Sequence, residues 1–506
     1  MAEGIAKVCN EVLYQIFLLT TGDSTGGWDA SSPPWNLAAV CRRWRTLCIG
    51  TARLWTCFEV GGGHMCNVVD ETCTSSQVVI LRCCLMLQRS QNLPIHVDCT
   101  YAERTCAKSM MRALTKHAHR WASLLFHPDE LFTVPTFNRL LRPPVHFTAL
   151  RHLDYQCEAN YERMFRLGPY FDTTSLPALT SLRLGSWLGD MSVDSNSFPW
   201  AQLHHICLAN YIGDQEGILA LLTSCPNITH FSFSTTYCFT EDVENFQPNG
   251  VLLNELVQLE MSIPGGWMDK DCLDLVQILL YIRAPKLRRL AVLHCGNIGS
   301  GRPLDDNLVD LVTRSGCRIR SLDVTKSWEA PDTESEDEDY VLHLPRLFSK
   351  VSQDLEDLMI IADVAEEAYK DDCDDLFAEM LTTGGSSDTL FPRLSRLRIE
   401  DMQFDPILLA EVIQFRQAQG PSGQGESTDV VPLDRVEIQY KQTPDGDLPG
   451  KKHPVAAFYA ATLSNVLSGC GSELPNPKCD LVFDSQYFLP RFCLETASVD
   501  YVYDPY

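Results

Sequence analysis

The signatures by which catalysis is most often recognised are missing from this 506-residue chain. It has no phosphate-binding loop ending in Lys-Ser or Lys-Thr, no G-x-G-x-x-G, no H-E-x-x-H and no G-x-S-x-G. Those patterns cradle phosphates, hold zinc or expose a nucleophile, so their absence removes the commonest nucleotide, metalloprotease and hydrolase readings. No two of the 21 cysteines stand three apart, which removes the usual zinc and redox pairs. Their odd number, scattered singly, is no disulfide framework, and they read as small core residues in a reducing compartment. The N-terminus lacks a basic run followed by an apolar stretch, and no segment reaches the roughly 18 apolar residues of a membrane helix. The expected location is therefore cytoplasmic and/or nuclear, with no membrane partner. Positive charge is scarce: 41 Lys and Arg against 66 Asp and Glu leave a formal net charge of -25. Such a chain repels phosphate backbones, so nucleic acid is excluded as a general partner, whereas a basic protein is compatible.

The remaining isolated candidates fail on spacing. His117 and His119, two apart near Trp121, would lie on different faces of a helix and make poor co-ligands. Cys83-Cys84 reads as core, and the glycines of 296–301 lack the Lys-Ser/Thr of a phosphate loop. No catalytic residue, cofactor site or metal site is expected, and the chain reads as a non-enzyme.

What is present begins with a helical module. Val12, Leu13, Ile16 and Phe17 recur at helical spacing in 8–19. A Gly/Ser/Pro-rich stretch from Gly22 to Pro34 breaks that helix. A second helical segment carries Leu37, Val40, Cys41, Trp44, Leu47 and Cys48 on one face, with Gly50 as a stop, and Leu54-Trp55 follows. The blocks Glu11-Val12-Leu13, Ile16-Phe17, Ala39-Val40-Cys41-Arg42-Arg43-Trp44-Arg45 and Leu54-Trp55 together resemble the F-box. Val8-Cys9 stands where that family usually has Leu-Pro. The resemblance implies docking on the adaptor subunit of a cullin-type (SCF) ubiquitin ligase. The face for that adaptor would comprise Val12, Leu13, Ile16, Phe17, Leu37, Val40, Cys41 and Trp44, part of it shared with the module's own core, while Trp55 packs inward.

A recurring unit, L-x-x-L-x-L or a close variant, fills much of the rest. Its copies are LRHLDY (150–155), LTSLRL (179–184), LHHICL (203–208), ITHFSF (228–233), LVQLEM (256–261), LRRLAV (287–292), IRSLDV (319–324), LEDLMI (355–360), LSRLRI (394–399) and DRVEI (434–438). From 179 to 394, successive copies start 24 to 39 residues apart. Many follow a turn such as LPAL, CPNI or APKL. The last two apolar positions face one side of a short strand, and helical candidates such as 217–225, 271–282 and 307–315 alternate with the strands. One strand and its return cannot bury their apolar face alone, but a stack can. The pattern resembles leucine-rich repeats, although only Cys295 occupies the position where that family places its ladder Asn or Cys.

The expected fold class is therefore α/β: an F-box-like helical module at 1–60, then a curved repeat solenoid at 76–440, clearest over 150–440. Within it, 329–340 is an acidic loop in which Thr333 and Ser335 are candidate phosphorylation sites, and 441–506 is a terminal cap. Residues flanking the strand leucines would line a concave face for an unidentified protein target: Arg183, His205, His230, Ser232, Glu260, Asp323, Met359, Arg398 and Glu437. The resemblance implies a substrate receptor of the SCF ligase. The alternatives are a repeat scaffold without a ligase role and, less favoured, an enzyme with an unrecognised site.

Overall fold

The computed structural model describes residues 8–22, 32–60, 76–99, 107–126, 146–155, 173–185, 187–188, 198–213, 215–238, 250–262, 278–295, 302–326, 344–362, 370–381, 390–400, 404–419, 430–439, 463 and 480–484. The chain divides between Ala209 and Asn210 into two compact units, both of mixed α/β construction. That division coincides with neither boundary expected from sequence. The acidic segment 329–340 lies outside the described residues.

The first unit opens with helices at Asn10–Gly22, Trp35–Val40 and Arg42–Gly50 and a short 3-10 turn, Ala52–Trp55. Parallel strands follow: β1 (Cys57–Glu59), β2 (Ile95–Asp98), β3 (Trp121–Phe126), β4 (His152–Tyr155) and β5 (Ser181–Leu184). The two-residue β6 (Trp187–Leu188) and the first five residues of β7 (His205–Gly213) come next, and β7 pairs in parallel with β5 through His205, Ile206, Cys207 and Leu208. Helices Ser76–Arg89 and Ala107–Leu114 form the first crossovers. The parallel ladder thus begins at Cys57, inside the segment expected to be wholly helical module, because Phe58 joins the same buried row as Val97 and Leu124.

The second unit repeats the plan. Its main strands are β8 (His230–Cys238), β10 (Gln258–Ser262), β12 (Arg289–Cys295), β13 (Ser321–Lys326), β14 (Asp357–Ala362), β15 (Arg396–Glu400), β16 (Arg435–Gln439) and β17 (Asp480–Asp484). Each pairs in parallel with the next in this order. Short strands β9 (Val251–Leu252) and β11 (Ile282–Arg283) pair with each other to one side. Gly250 precedes β9 at a φ of +62, and a Cβ there would stand 2.2 Å from the Tyr281 carbonyl oxygen, so only glycine fits. Parallel strands require crossovers, and helices supply them at Gln215–Ser224, Ile278–Tyr281, Arg302–Ser315, Pro345–Val351, Lys370–Leu381 and Pro406–Gln419. Of the helix expected over 271–282, the described part is helical only at Ile278–Tyr281, and Ile282 already belongs to β11.

The register explains why the leucine pattern recurs. Phe231, Leu259, Leu290, Leu322, Leu358, Leu397 and Val436 align in one row, and Phe233, Met261, Val292, Val324, Ile360, Ile399 and Ile438 in the row two residues on. Both rows are buried throughout. Side chains two apart on a strand share a face, so the two rows make one continuous apolar surface. Truncating one such leucine to alanine costs about 2–5 kcal/mol.

The turn before each strand has its own chemistry. In Leu176-Pro177-Ala178-Leu179, Cys225-Pro226-Asn227-Ile228, Ala284-Pro285-Lys286-Leu287 and Phe391-Pro392-Arg393-Leu394, the fourth residue's N–H donates to the first residue's carbonyl, at 3.1 to 3.3 Å. Proline at the second place pre-sets the φ such a turn needs. Just beyond it, one carbonyl accepts two successive N–H groups from the following repeat. Val257 O takes Arg288 N and Arg289 N, Arg288 O takes Arg320 N and Ser321 N, Arg320 O takes Glu356 N and Asp357 N, and Glu356 O takes Ser395 N and Arg396 N. This backbone relay ties the repeats together without the side-chain ladder whose asparagines the sequence lacks.

Side chains add ties from repeat to repeat. The Asp305 carboxylate accepts Leu347 N (2.8 Å) and Arg346 N (3.1 Å) of the following helix. Ser315 and Ser352 hydroxyls accept Ala284 N and Phe391 N. Arg120 donates to Ser90 Oγ and the Leu93 carbonyl, and Arg416 to the carbonyls of Pro392, Leu394 and Val431. Arg416 is fully buried, which lowers its guanidinium to about 10. Buried backbone groups need partners, and these side chains supply them across irregular repeat lengths.

Candidate functional site

Two surfaces hold the residues singled out from sequence. On the first helix, Leu13 and Phe17 stand one turn apart and are buried, at 2% and 1% exposure. Phe17 meets Trp44 edge-on, ring centroids 4.8 Å apart. Trp55 is fully buried, donates from Nε1 to Cys48 O at 2.7 Å, and lies between Arg89, 4.3 Å above its ring, and Trp35, 4.9 Å away. Arg43 fixes the start of the first helix through Asn10 Oδ1 (2.8 Å) and the Val8 carbonyl (2.5 Å).

These contacts correct the expected docking face. Leu13 and Phe17 are occupied inside the module and are inaccessible to a partner. Val12, Ile16 and Leu19, spaced i, i+4, i+7, form the outward row and are 49%, 42% and 73% exposed. Val40 and Cys41 are also exposed, and Leu37 and Trp44 are half-buried. The four apolar residues at 12, 13, 16 and 17 therefore divide into an inward and an outward pair, because i and i+1 diverge by about 100° on a helix. Leu19 was missed from sequence; its i+3 spacing from Ile16 was the available signal.

The second surface is the strand face opposite the leucine rows. Register places Arg183 in the first unit, and Ser232, Glu260, Asp323, Met359, Arg398 and Glu437 in the second, at the corresponding strand position. His205 and His230 occupy the position two residues earlier in their strands. These positions share one side of their strands, but they are less exposed than a binding face would require. Glu260, Asp323, Met359 and Glu437 are all buried, and the remainder are half-buried. Neighbouring strands lie only about 4.8 Å apart, so long side chains shield one another. Arg289 pairs with Asp323 at 2.7 Å, Arg398 with Glu437 at 2.5 Å, Arg435 also with Glu437, and Arg398 approaches Met359 Sδ at 3.6 Å. Asp357 sits within this array, and burial, then the Asp323 charge, pushes its carboxyl above the ordinary range against the pull of Arg396, Arg398 and Arg289.

Of the groups weighed for chemistry, His96 and His152 fall at the strand position of His205, on the second surface. His117 and His119 sit on a 3-10 turn with ring centroids 6.3 Å apart. No group of three His, Cys, Asp or Glu side chains suited to a metal occurs among the described residues. His96 shares a 2.8 Å hydrogen bond with Ser123, and burial lowers it and His152 below the usual imidazole range. Cys83 is buried and its thiol pushed up to about 12 by desolvation, while Cys84 is exposed. Cys225 likewise rises to about 12, and Cys48 and Cys317 to about 11. Such thiols hold their protons at neutral pH and are poor nucleophiles. Among the described residues, no helix is long and apolar enough to cross a membrane. In comparisons of the chain with protein-family models and with curated proteins, nothing matches.

Proposed function

We propose that this chain is the substrate-recognition subunit of a cullin-type (SCF) ubiquitin ligase, with an F-box-like helical module and a leucine-rich-repeat body. It makes and breaks no bonds itself. Its task is to hold a protein target near the ubiquitin-carrying subunit, where proximity drives transfer. The observation that carries this reading is the outward row of Val12, Ile16 and Leu19 on a helix whose inward row, Leu13 and Phe17, is already filled. Single exposed apolar residues are ordinary, but three in line on one helix form a patch that gains by being covered. The ligase adaptor is the partner that the F-box resemblance of this segment implies.

The test is co-purification of the full chain with the SCF adaptor. Wild type should bind stoichiometrically, and Val12→Asp with Ile16→Asp should abolish binding while leaving the far-ultraviolet circular dichroism unchanged. Phe17→Asp serves as the core control and should disturb the fold itself. If folded wild type fails to bind, the ligase role is lost, and the chain is a repeat scaffold whose module serves another purpose. The Val8-Cys9 pair, at the place where the family usually has Leu-Pro, favours that second reading.

A further inference from the structure

The net charge of -25 conceals a local reversal. Nine of the 41 Lys and Arg fall in residues 283–326, against four Asp. Several converge on the turns leading into β12 and β13. Arg283, Lys286 and Arg288 precede the first strand, Arg318 and Arg320 the second, and all five are exposed. The backbone relay sets these turns side by side, with Arg320 N donating to Arg288 O at 2.7 Å. Lys286 and Arg318 hold equivalent places, each just before the apolar residue that closes its turn, Leu287 and Ile319. Equivalent residues on adjacent strands stand about 4.8 Å apart, so the cations lie well within one Debye length of each other.

Structural pairing does not use them all. Lys286 reaches sideways to Glu255 at 2.7 Å and Arg320 to Glu356 at 3.2 Å. The side chains of Arg288 and Arg318, between those pairs, form neither a hydrogen bond nor an ion pair with any described residue. Like charges at this spacing repel, and neither packing nor pairing offsets that cost for these two. The cluster is also bounded. At the place of Lys286 and Arg318, the preceding repeat has Glu255 and the following one Asp354; at the place of Arg288 and Arg320, the following repeat has Glu356.

We propose that the Arg288–Arg318 cluster is a docking site for a short acidic segment, a run of Asp or Glu, on the protein that the repeats recognise. The inference rests on reading the repeats as the target-binding part, and is independent of adaptor docking. The cluster covers the turns of two adjacent strands, one strand spacing apart, which suits two or three carboxylates on an extended peptide. Its acidic borders select a short segment over a long polyanion. Beyond about 8 Å the local field is screened, and a nucleic acid running past the cluster meets Glu255, Asp354 and Glu356. The basic target suggested by net charge alone is replaced here by an acidic one, because binding senses local rather than total charge.

The experiment is fluorescence anisotropy of the full chain, without adaptor, against a labelled peptide of five consecutive glutamates between Gly-Ser flanks. Wild type should bind, more weakly as salt rises, and Arg288→Glu with Arg318→Glu should weaken binding at least tenfold. The matched glutamine peptide should not bind, an oligothymidylate of equal charge should bind more weakly than the glutamate peptide, and Arg393→Glu, outside the cluster, should bind as wild type. Failure of wild type to bind, equal binding by the glutamine peptide or the oligonucleotide, or equal loss in the Arg393 variant overturns the proposal. Both arginines are exposed, so the double variant should keep its fold, which its adaptor binding and circular dichroism report separately. Loss of adaptor binding in wild type would count against the ligase reading and leave this assay untouched.

Discussion

Asp305 joins two repeats by a contact whose removal has a calculable cost. It lies in the first turn of the Arg302–Ser315 helix, is 3% exposed, and accepts the Leu347 and Arg346 amides at the start of the next helix. Replacement by alanine leaves both amides without their acceptor. A buried amide stripped of its partner costs about 1–3 kcal/mol, and the Leu347 bond is buried whereas water can reach the part-buried Arg346 bond. Part of the loss is offset, because burial already raises the Asp305 carboxyl above its ordinary range despite the two amides. The expected net cost of Asp305→Ala is about 2–3 kcal/mol. Asp305→Asn keeps one acceptor oxygen and should lose about half of that. Native-state hydrogen exchange is the appropriate assay, because it reads this joint directly. With every 1.4 kcal/mol worth tenfold, the Leu347 amide should exchange about 30- to 140-fold faster in the alanine variant. Exchange within threefold of wild type, or an asparagine variant as damaged as the alanine one, would refute the argument that the carboxylate ties these repeats.

Two further outcomes follow from the buried ionisable groups. Asp357 has a raised carboxyl pKa, so the folded state holds its proton more tightly than the unfolded state and ionisation costs stability. That cost appears as pH rises through the unfolded value near 3.9 and is complete above the folded value. Asp357→Asn should therefore melt higher than wild type at pH 7, with the gain shrinking as pH falls; a gain that grows on acidification contradicts the assignment. Among the cysteines, iodoacetamide should label the exposed Cys9, Cys41 and Cys84 in the folded chain, and Cys48, Cys83, Cys99, Cys225 and Cys317 only after denaturation. Peptide mass mapping reads this, and rapid native labelling at Cys83 or Cys225 would show that those sites open.

Several features were legible in the chain alone because their causes are local. Ten copies of the leucine pattern mark ten of the strands, since alternation and a turn-forming proline act within a few residues. The helix over Ser76–Arg89 and the strand over Ile95–Asp98 were readable from periodicity for the same reason. The last strand, Asp480–Asp484, was missed: Leu481 and Phe483 alternate correctly, but Lys478 stands where the leading leucine of the pattern would be. Its place beside β16 comes from pairing, which a single strand does not encode.

Composition and periodicity by themselves determined the alternation of strand and helix, the identity of the buried rows, and the absence of familiar catalytic motifs. Only the tertiary structure decided which of two adjacent apolar residues points outward, as with Ile16 against Phe17, because that depends on where Trp44 stands. Burial of Glu260, Asp323 and Glu437 was likewise beyond sequence, since it arises from side chains on neighbouring strands, with partners such as Arg289 and Arg398 held some 34 to 39 residues away along the chain. The cationic cluster emerged in the same way: Arg288 and Arg318 are ordinary arginines in a strongly acidic chain until the backbone relay sets their turns side by side. Charge and burial are properties of neighbourhoods in space, and the fold alone decides which residues are neighbours.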